Sequence, residues 1–360
     1  MVYLDNASTT KQLCEPWTGG MFPNPNSPHT LGVKAKRELE DCRKSFKDLL
    51  GVKFGKVIFG GTSSMLIKQL VNLTHWQFAY CSKYEHDCVL KNSWKAVDFD
   101  TLDFSNSFSK NKFYAHIHVN NITGEVYNLE KYGREIRKSG GFFIVDTTAT
   151  WGHENMPRGY EEWCDCVVGS AHKFHGPQGT GFMWVSDRLA KYLNLNESTT
   201  DEYGFWWGTQ AVENIKAMTA AMHLFRDKRE VELLQSDSLY YMWILINFLH
   251  VDGIEARMVG KDRHKTYAIN ALVLDGFDAD ALVQYLSSKE IFISPGHSAC
   301  AEDGDYRVLE ACGLTKEEAK STIRISFSRC NKASDAEKLV NGIVDFRNKF
   351  MQNKTGEVIK

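Results

Sequence analysis

Between residues 34 and 233 the chain alternates short runs of consecutive apolar residues with longer stretches in which apolar positions return every three or four residues. The short runs at 56–59, 113–119, 142–145 and 166–168 have the length and the β-branched or aromatic content of buried strands. Residues 31–50 place apolar side chains at helical intervals among Lys, Arg and Glu and then meet Gly51, which predicts a surface helix with a glycine stop. Such alternation predicts α/β layering. From Gly208 the pattern turns helical through Val212, Ile215, Met218 and Met222 and on to Leu249, a candidate bridge between domains. A strand at 266–274, a helix at 278–288, a strand at 291–294 and a closing helix at 333–350 then predict a smaller α+β domain. A chain of 360 residues exceeds what one core usually serves. The expected division is a large domain of residues 15–233 and a small one of 1–14 and 234–360.

Composition narrows the class. The net charge of −2 comes from 43 basic and 45 acidic side chains that are interspersed, so no basic block points to nucleic acid and a small-molecule substrate is expected. No apolar run approaches the roughly 20 residues of a membrane span, and residues 1–10 lack the charged and apolar regions of a signal peptide. Nine cysteines without a repeating spacing predict reduced thiols and a cytoplasmic location. Cys164 and Cys166 lack the second pair that a zinc site needs, so no metal is expected. His116 and His118 fall on one face of a strand, where packing or simple exposure explains them.

Chemistry concentrates at three strand ends, where ligands of open α/β sheets gather. Val57-Ile-Phe-Gly-Gly-Thr-Ser-Ser64 runs from a strand through Gly60 and Gly61 into a helix start, with Thr62 and Ser63 adding hydroxyls to its unpaired N–H groups: a candidate phosphate cradle. Phe142-Phe-Ile-Val-Asp146 is an apolar strand ending in a carboxylate. Val167-Val-Gly-Ser-Ala-His-Lys173 ends on a lysine before a glycine-rich turn. Separately, each has an ordinary reading as a turn, a cap or a surface lysine. Together they match what pyridoxal 5'-phosphate (PLP) requires: Lys173 as the Schiff-base lysine, Asp146 for the pyridinium nitrogen, and a phosphate site.

The sequence resembles the cysteine desulfurases of the class V aminotransferase group over almost its whole length. Tyr3-Leu-Asp-Asn-Ala-Ser-Thr-Thr10 is similar to their opening signature, and Tyr84-Glu-His86 to the segment whose histidine stacks on the cofactor ring. His118-Val-Asn-Asn121 resembles the stretch whose second asparagine reaches the cofactor, and Ser170-Ala-His-Lys173 the phosphate and Schiff-base motif. Gly208-Thr209 resembles the turn that reaches the phosphate in the neighbouring subunit, which implies a homodimer with shared sites. Ser294-Pro-Gly-His-Ser-Ala-Cys300 resembles the catalytic cysteine loop, and Ser321-Thr-Ile-Arg-Ile-Ser326 the carboxylate-binding strand.

The resemblance implies the PLP-dependent transferase fold (fold type I), a mostly parallel mixed sheet with helices on both faces, with the cysteine loop on the small α+β domain. It implies catalytic roles for Lys173, Cys300 and His86. Cofactor contacts would come from Gly61, Thr62, His86, Asn121, Asp146, Ser170, His172, Lys173 and Thr209, and substrate contacts from Arg324 and Asn121. The implied reaction converts L-cysteine to L-alanine with a persulfide on Cys300, which a sulfur-acceptor protein then collects. Two departures keep other chemistry open: Ala149 stands where desulfurases have glutamine, and Trp206-Trp207 replace an arginine before Gly208. The alternatives are a class V aminotransferase or another PLP-dependent amino-acid lyase, and beyond these a non-catalytic sulfur-carrier or binding relative.

Overall fold

The computed structural model describes residues 1–16, 23–74, 80–93, 95–102, 110–157, 159–196, 201–260, 264–297 and 305–351. It divides into two compact units. The larger comprises Thr10–Asn120 and Tyr127–Val231, and the smaller Met1–Thr9, Asn121–Val126 and Glu232–Lys360. The division therefore falls after Thr9 and Val231 instead of 14 and 233, and Asn121–Val126 goes with the smaller unit.

The larger unit is built on a seven-stranded sheet. Its spatial order is Lys56–Gly60, Gly181–Val185, Cys166–Ser170, Phe142–Asp146, Phe113–Ile117, Tyr80–Ser82 and Ala96–Val97. Gly181–Val185 runs antiparallel to both neighbours, and the other pairings are parallel. The strands 113–117, 142–146, 166–170 and 181–185 are buried at every position, which explains their unbroken apolar runs: helices cover both faces, so no face is left for polar residues. His116 is among these buried residues and stacks on Tyr132 at 5.8 Å, so packing accounts for it.

The helix Thr30–Leu50 buries Ala35, Leu39, Cys42, Phe46 and Leu50, an apolar stripe at helical spacing. His29 caps its start by accepting from Gly32 N–H, and Gly51 ends it at φ 67°. Phe46 lies 5.2 Å from the Phe59 ring and 4.8 Å from that of Phe182, which pins this helix to the two outermost antiparallel strands. The helical region expected from Gly208 onwards is two helices, Val212–His223 and Lys228–Val251. Asp227 accepts from Arg229 N–H at 3.0 Å and starts the second.

The smaller unit has an antiparallel sheet in the order Ser294–Pro295, Thr322–Ser326, Ile269–Leu274 and Ala256–Met258. Val2–Tyr3 pairs in parallel with Ile291–Phe292. Leu272, Ile323, Ile325 and Phe327 pack with Leu282 and Leu286 of the helix Ala279–Ser288 and with Leu339 and Ile343 of Ala333–Phe350. No helix among the described residues is long and apolar enough to cross a membrane. The described cysteines carry free thiols, and burial raises Cys164 and Cys166 well above the ordinary thiol range.

Phe46→Ala would remove the ring that joins the helix Thr30–Leu50 to both outer strands. We expect a loss of about 3–5 kcal/mol in chemical denaturation, and a loss under 1 kcal/mol would contradict this packing role.

Candidate functional site

Lys173, Asp146 and the hydroxyl cradle all belong to the larger unit. Asp146 closes its strand opposite Val168, so the acid and Lys173 leave neighbouring parallel strands on the same carboxyl edge of the sheet. Lys173 ends a single 3-10 turn, Ala171–Lys173, directly after the strand Cys166–Ser170.

Asp146 is 4% exposed, and its Oδ1 accepts one backbone hydrogen bond, from Thr148 N–H at 2.8 Å. Among the described residues no basic side chain forms an ion pair with it. A buried carboxylate with so few partners is unfavourable unless a cation or further donors complete it. A protonated pyridine nitrogen supplies both, so this position fits the cofactor's ring. Thr148 Oγ1, two residues on, is buried without a hydrogen-bond partner among the described residues.

The candidate phosphate cradle is built from two strand ends. Thr62 Oγ1 accepts from Met65 N–H at 3.2 Å and so caps the helix Ser63–Thr74. Ser63 N–H donates to Ser170 Oγ at 2.8 Å, and Ser170 Oγ–H donates to Ser63 Oγ at 3.0 Å. Both serines are buried. Gly181 makes this approach possible: a Cβ there would stand 2.9 Å from Gly169 O, 3.0 Å from Thr62 C and 3.1 Å from Ser63 N. Gly61 and the exposed Thr209 line one cavity of about 390 Å³ together with Thr180, whose Oγ1 is buried without a partner among the described residues. Thr209 Oγ1 accepts from Asn24 Nδ2 at 3.2 Å.

His86 caps the short helix Asp87–Leu90, with Nδ1 accepting from Cys88 N–H at 3.2 Å. In the neutral ring its proton therefore sits on Nε2. The carbonyl of His172 accepts from Thr10 N–H at 2.8 Å and from its hydroxyl at 2.9 Å, while burial and then the charge of Lys173 lower its imidazole to about 4. His153, which the sequence did not single out, is fully enclosed. Burial, then His175 and Lys173, lower it to about 3. Cys88 was also not foreseen, and burial followed by the Asp146 carboxylate raises its thiol to about 12. Its only sequence signal is its place two residues after His86. Ala149 is buried and offers no side-chain donor.

Arg324 and Asn121 belong to the smaller unit. Arg324 is 4% exposed, and its guanidinium donates to Asn121 O at 3.2 Å, Asp5 Oδ1 at 2.8 Å and Ser8 Oγ at 2.5 Å. Its Nε is buried without a hydrogen-bond partner among the described residues. Asn121 thus meets Arg324 through its main chain. Cys300 lies outside the described residues. The segment leading to it is held by Gly296 N–H donating to Thr322 O at 2.7 Å.

An acid and a lysine on neighbouring strand ends of this mixed sheet, with a hydroxyl cradle across one intervening strand, are the arrangement a PLP-dependent α/β enzyme requires. The chain belongs to the aminotransferase class-V family, which it matches over residues 2–339, and PLP is its cofactor. It is 26% identical over 361 positions to a cysteine desulfurase, IscS, of Dictyoglomus turgidum, covering 90% of this chain and 89% of that protein. Its fold is similar to that of a NifS-like protein, with a TM-score of 0.81 and 21% identity over 97% of this chain and all of the other. It is also similar to the apo cysteine desulfurase of Thermococcus onnurineus, with a TM-score of 0.78 and 18% identity over 97% and 95% of the two chains.

His153 and His172 are neutral in the fold but protonate below about 6.5 once unfolded. The unfolded chain then binds more protons between about 6.5 and their lowered values, so stability falls as pH falls through that window. Denaturation of the apoprotein between pH 7 and 4.5 should show this fall, and His153→Phe should lower the slope by about one proton. An unchanged slope would sink the assignment.

Proposed function

We propose that this chain is a PLP-dependent cysteine desulfurase that converts L-cysteine to L-alanine and keeps the sulfur on Cys300 as a persulfide. The observation that carries the reading is the buried Asp146 carboxylate, which lacks a basic partner among the described residues and leaves the strand beside that of Lys173. The relative named cysteine desulfurase, aligned along nine-tenths of the chain, supports the choice of substrate.

Bound PLP supplies an electron sink for charge that develops beside the substrate's amino group. Lys173 is the proposed covalent anchor and the base that removes the substrate's α-proton. Asp146 holds a proton at the ring nitrogen. His86 would offer Nε2–H to the cofactor, because Nδ1 is occupied by Cys88 N–H. Gly61, Thr62, Ser170 and His172 frame the phosphate. Arg324 is the proposed fork for the substrate carboxylate, to which its Nε–H remains available, with Asn121 beside it.

In the sulfur step the Cys300 thiolate attacks the substrate's sulfur. An S–S bond forms, the C–S bond breaks, and its electron pair goes to the β-carbon, which takes a proton to become alanine's methyl group. Cys88, raised to about 12, is protonated at neutral pH and unsuited to this attack. A sulfur-acceptor protein would then collect the sulfur. We further propose a homodimer in which Thr209 completes the neighbouring copy's phosphate site, and a cytoplasmic location suited to the free thiols.

One observation favours a second reading. Ala149 leaves the position beside Asp146 without the amide that desulfurases carry, which suits class V transamination. Incubation with L-cysteine separates the two. Desulfuration yields alanine and thiol-labile sulfur on the protein, and Cys300→Ala should lower both by at least about a hundred-fold while leaving the cofactor's absorbance in place. A keto acid in place of alanine, or alanine formation unaffected by Cys300→Ala, would overturn the persulfide route.

A further inference from the structure

The strand Lys56–Gly60 lies at the edge of the seven-stranded sheet, with only Gly181–Val185 beside it among the described residues. Bare edge strands present unpaired N–H and C=O groups and are prone to shift or to recruit another chain. Here the outward groups are taken by side chains. Phe59 N–H donates to Glu202 Oε2 at 2.8 Å, Phe59 O accepts from Trp206 Nε1–H at 2.7 Å, and Val57 O accepts from the Arg43 guanidinium. Arg43 also grips Glu202 through two nitrogens, at 2.8 and 3.1 Å. Three side chains thus take the place of a missing strand, directly before the Gly60–Thr62 turn.

The clamp is held in an unfavourable conformation. Glu202 and Tyr203 have φ of 38° and 60°, a region that side chains other than glycine enter at some expense. Glu202 is 2% exposed and Arg43 6%, so each buried charge depends on the other. The Arg43 guanidinium stacks between the Phe59 and Tyr203 rings, at 5.1 and 5.0 Å from their centroids. Gln69, on the helix that starts at the cradle, donates to Phe205 O at 2.8 Å. Phe205 and Trp206 are therefore tied to the edge strand and to the helix on either side of Gly60-Gly61-Thr62.

We infer that Trp206, Glu202 and Arg43 are positioning residues that fix the Gly60–Thr62 turn and thereby set how tightly the cofactor's phosphate is held. Trp206 also lines the cavity that contains Gly61 and Thr209, so one indole links the phosphate turn to the Trp206–Thr209 loop. The tryptophan that stands ahead of Gly208 in this chain thus has a stated task. The inference rests on the assignment of Gly61 and Thr62 to the phosphate.

Trp206→Phe removes the indole donor and keeps an aromatic ring. Two readouts decide the matter: the dissociation constant of PLP, followed by its absorbance, and hydrogen exchange at the Gly61 and Thr62 amides of the apoprotein. We expect PLP to bind about five-fold more weakly and both amides to exchange about five-fold faster, corresponding to the loss of one buried hydrogen bond. Glu202→Gln, which keeps an oxygen for Phe59 N–H but removes Arg43's counter-charge, should weaken PLP at least as much. A lowered melting temperature with PLP affinity within two-fold of the parent protein would overturn the inference, as would unchanged exchange. If the parent chain bound no PLP, the cofactor assignment would fail by itself, and apoprotein exchange would still decide whether the clamp fixes the turn.

Discussion

A carboxylate placed inside a protein must be matched by a positive charge or by several donors, since burial otherwise drives it towards its neutral form. Asp146 is nearly enclosed, receives one hydrogen bond on Oδ1, and has no basic side chain paired with it among the described residues. Its neighbours are equally constrained. The Cys88 thiol is pushed up partly because Asp146 is charged, and His153 and His172 are pushed down partly because Lys173 is. A negative group and a positive group thus each disfavour further charge of their own sign nearby. A protonated heterocycle that is covalently held by the lysine satisfies both at once.

The sheet makes that arrangement possible. Parallel pairing of Phe142–Asp146 with Cys166–Ser170 sends both chain exits to one edge. The antiparallel strand Gly181–Val185 then lies between the lysine strand and the edge strand Lys56–Gly60. Because residue 181 has no side chain, the start of the helix Ser63–Thr74 comes close enough for Ser63 and Ser170 to bond. The edge strand in turn is steadied by a buried ion pair and an indole. Each step away from Asp146 is therefore a packing or hydrogen-bonding requirement that the next element meets.

The large sheet was legible because its central strands are buried on both faces, so their apolar runs stand out from the helical stretches between them. The three strand ends stood out together and not singly: glycine with hydroxyls, an acid or a lysine each suits an ordinary turn, but here all three follow apolar strands. Other features were hidden for physical reasons. The Leu224–Asp227 break leaves helical periodicity intact on both sides, so the pattern read as one long element. Asn121 to Val126 joins the smaller unit through contacts distant in sequence. Cys88, His153 and the bond between Ser63 and Ser170 depend on what surrounds them, and no spacing in the chain reveals burial. The Arg43–Glu202 pair is separated by 159 positions and has no local signature at all.

The central claim is that Lys173 is the residue that carries the cofactor. Borohydride reduction of the PLP-loaded protein, followed by proteolysis and mass spectrometry, fixes the cofactor to whichever lysine holds it. The account predicts one phosphopyridoxyl group, on the peptide that contains Lys173. A label on a different lysine, or none in protein that has taken up PLP, would contradict it.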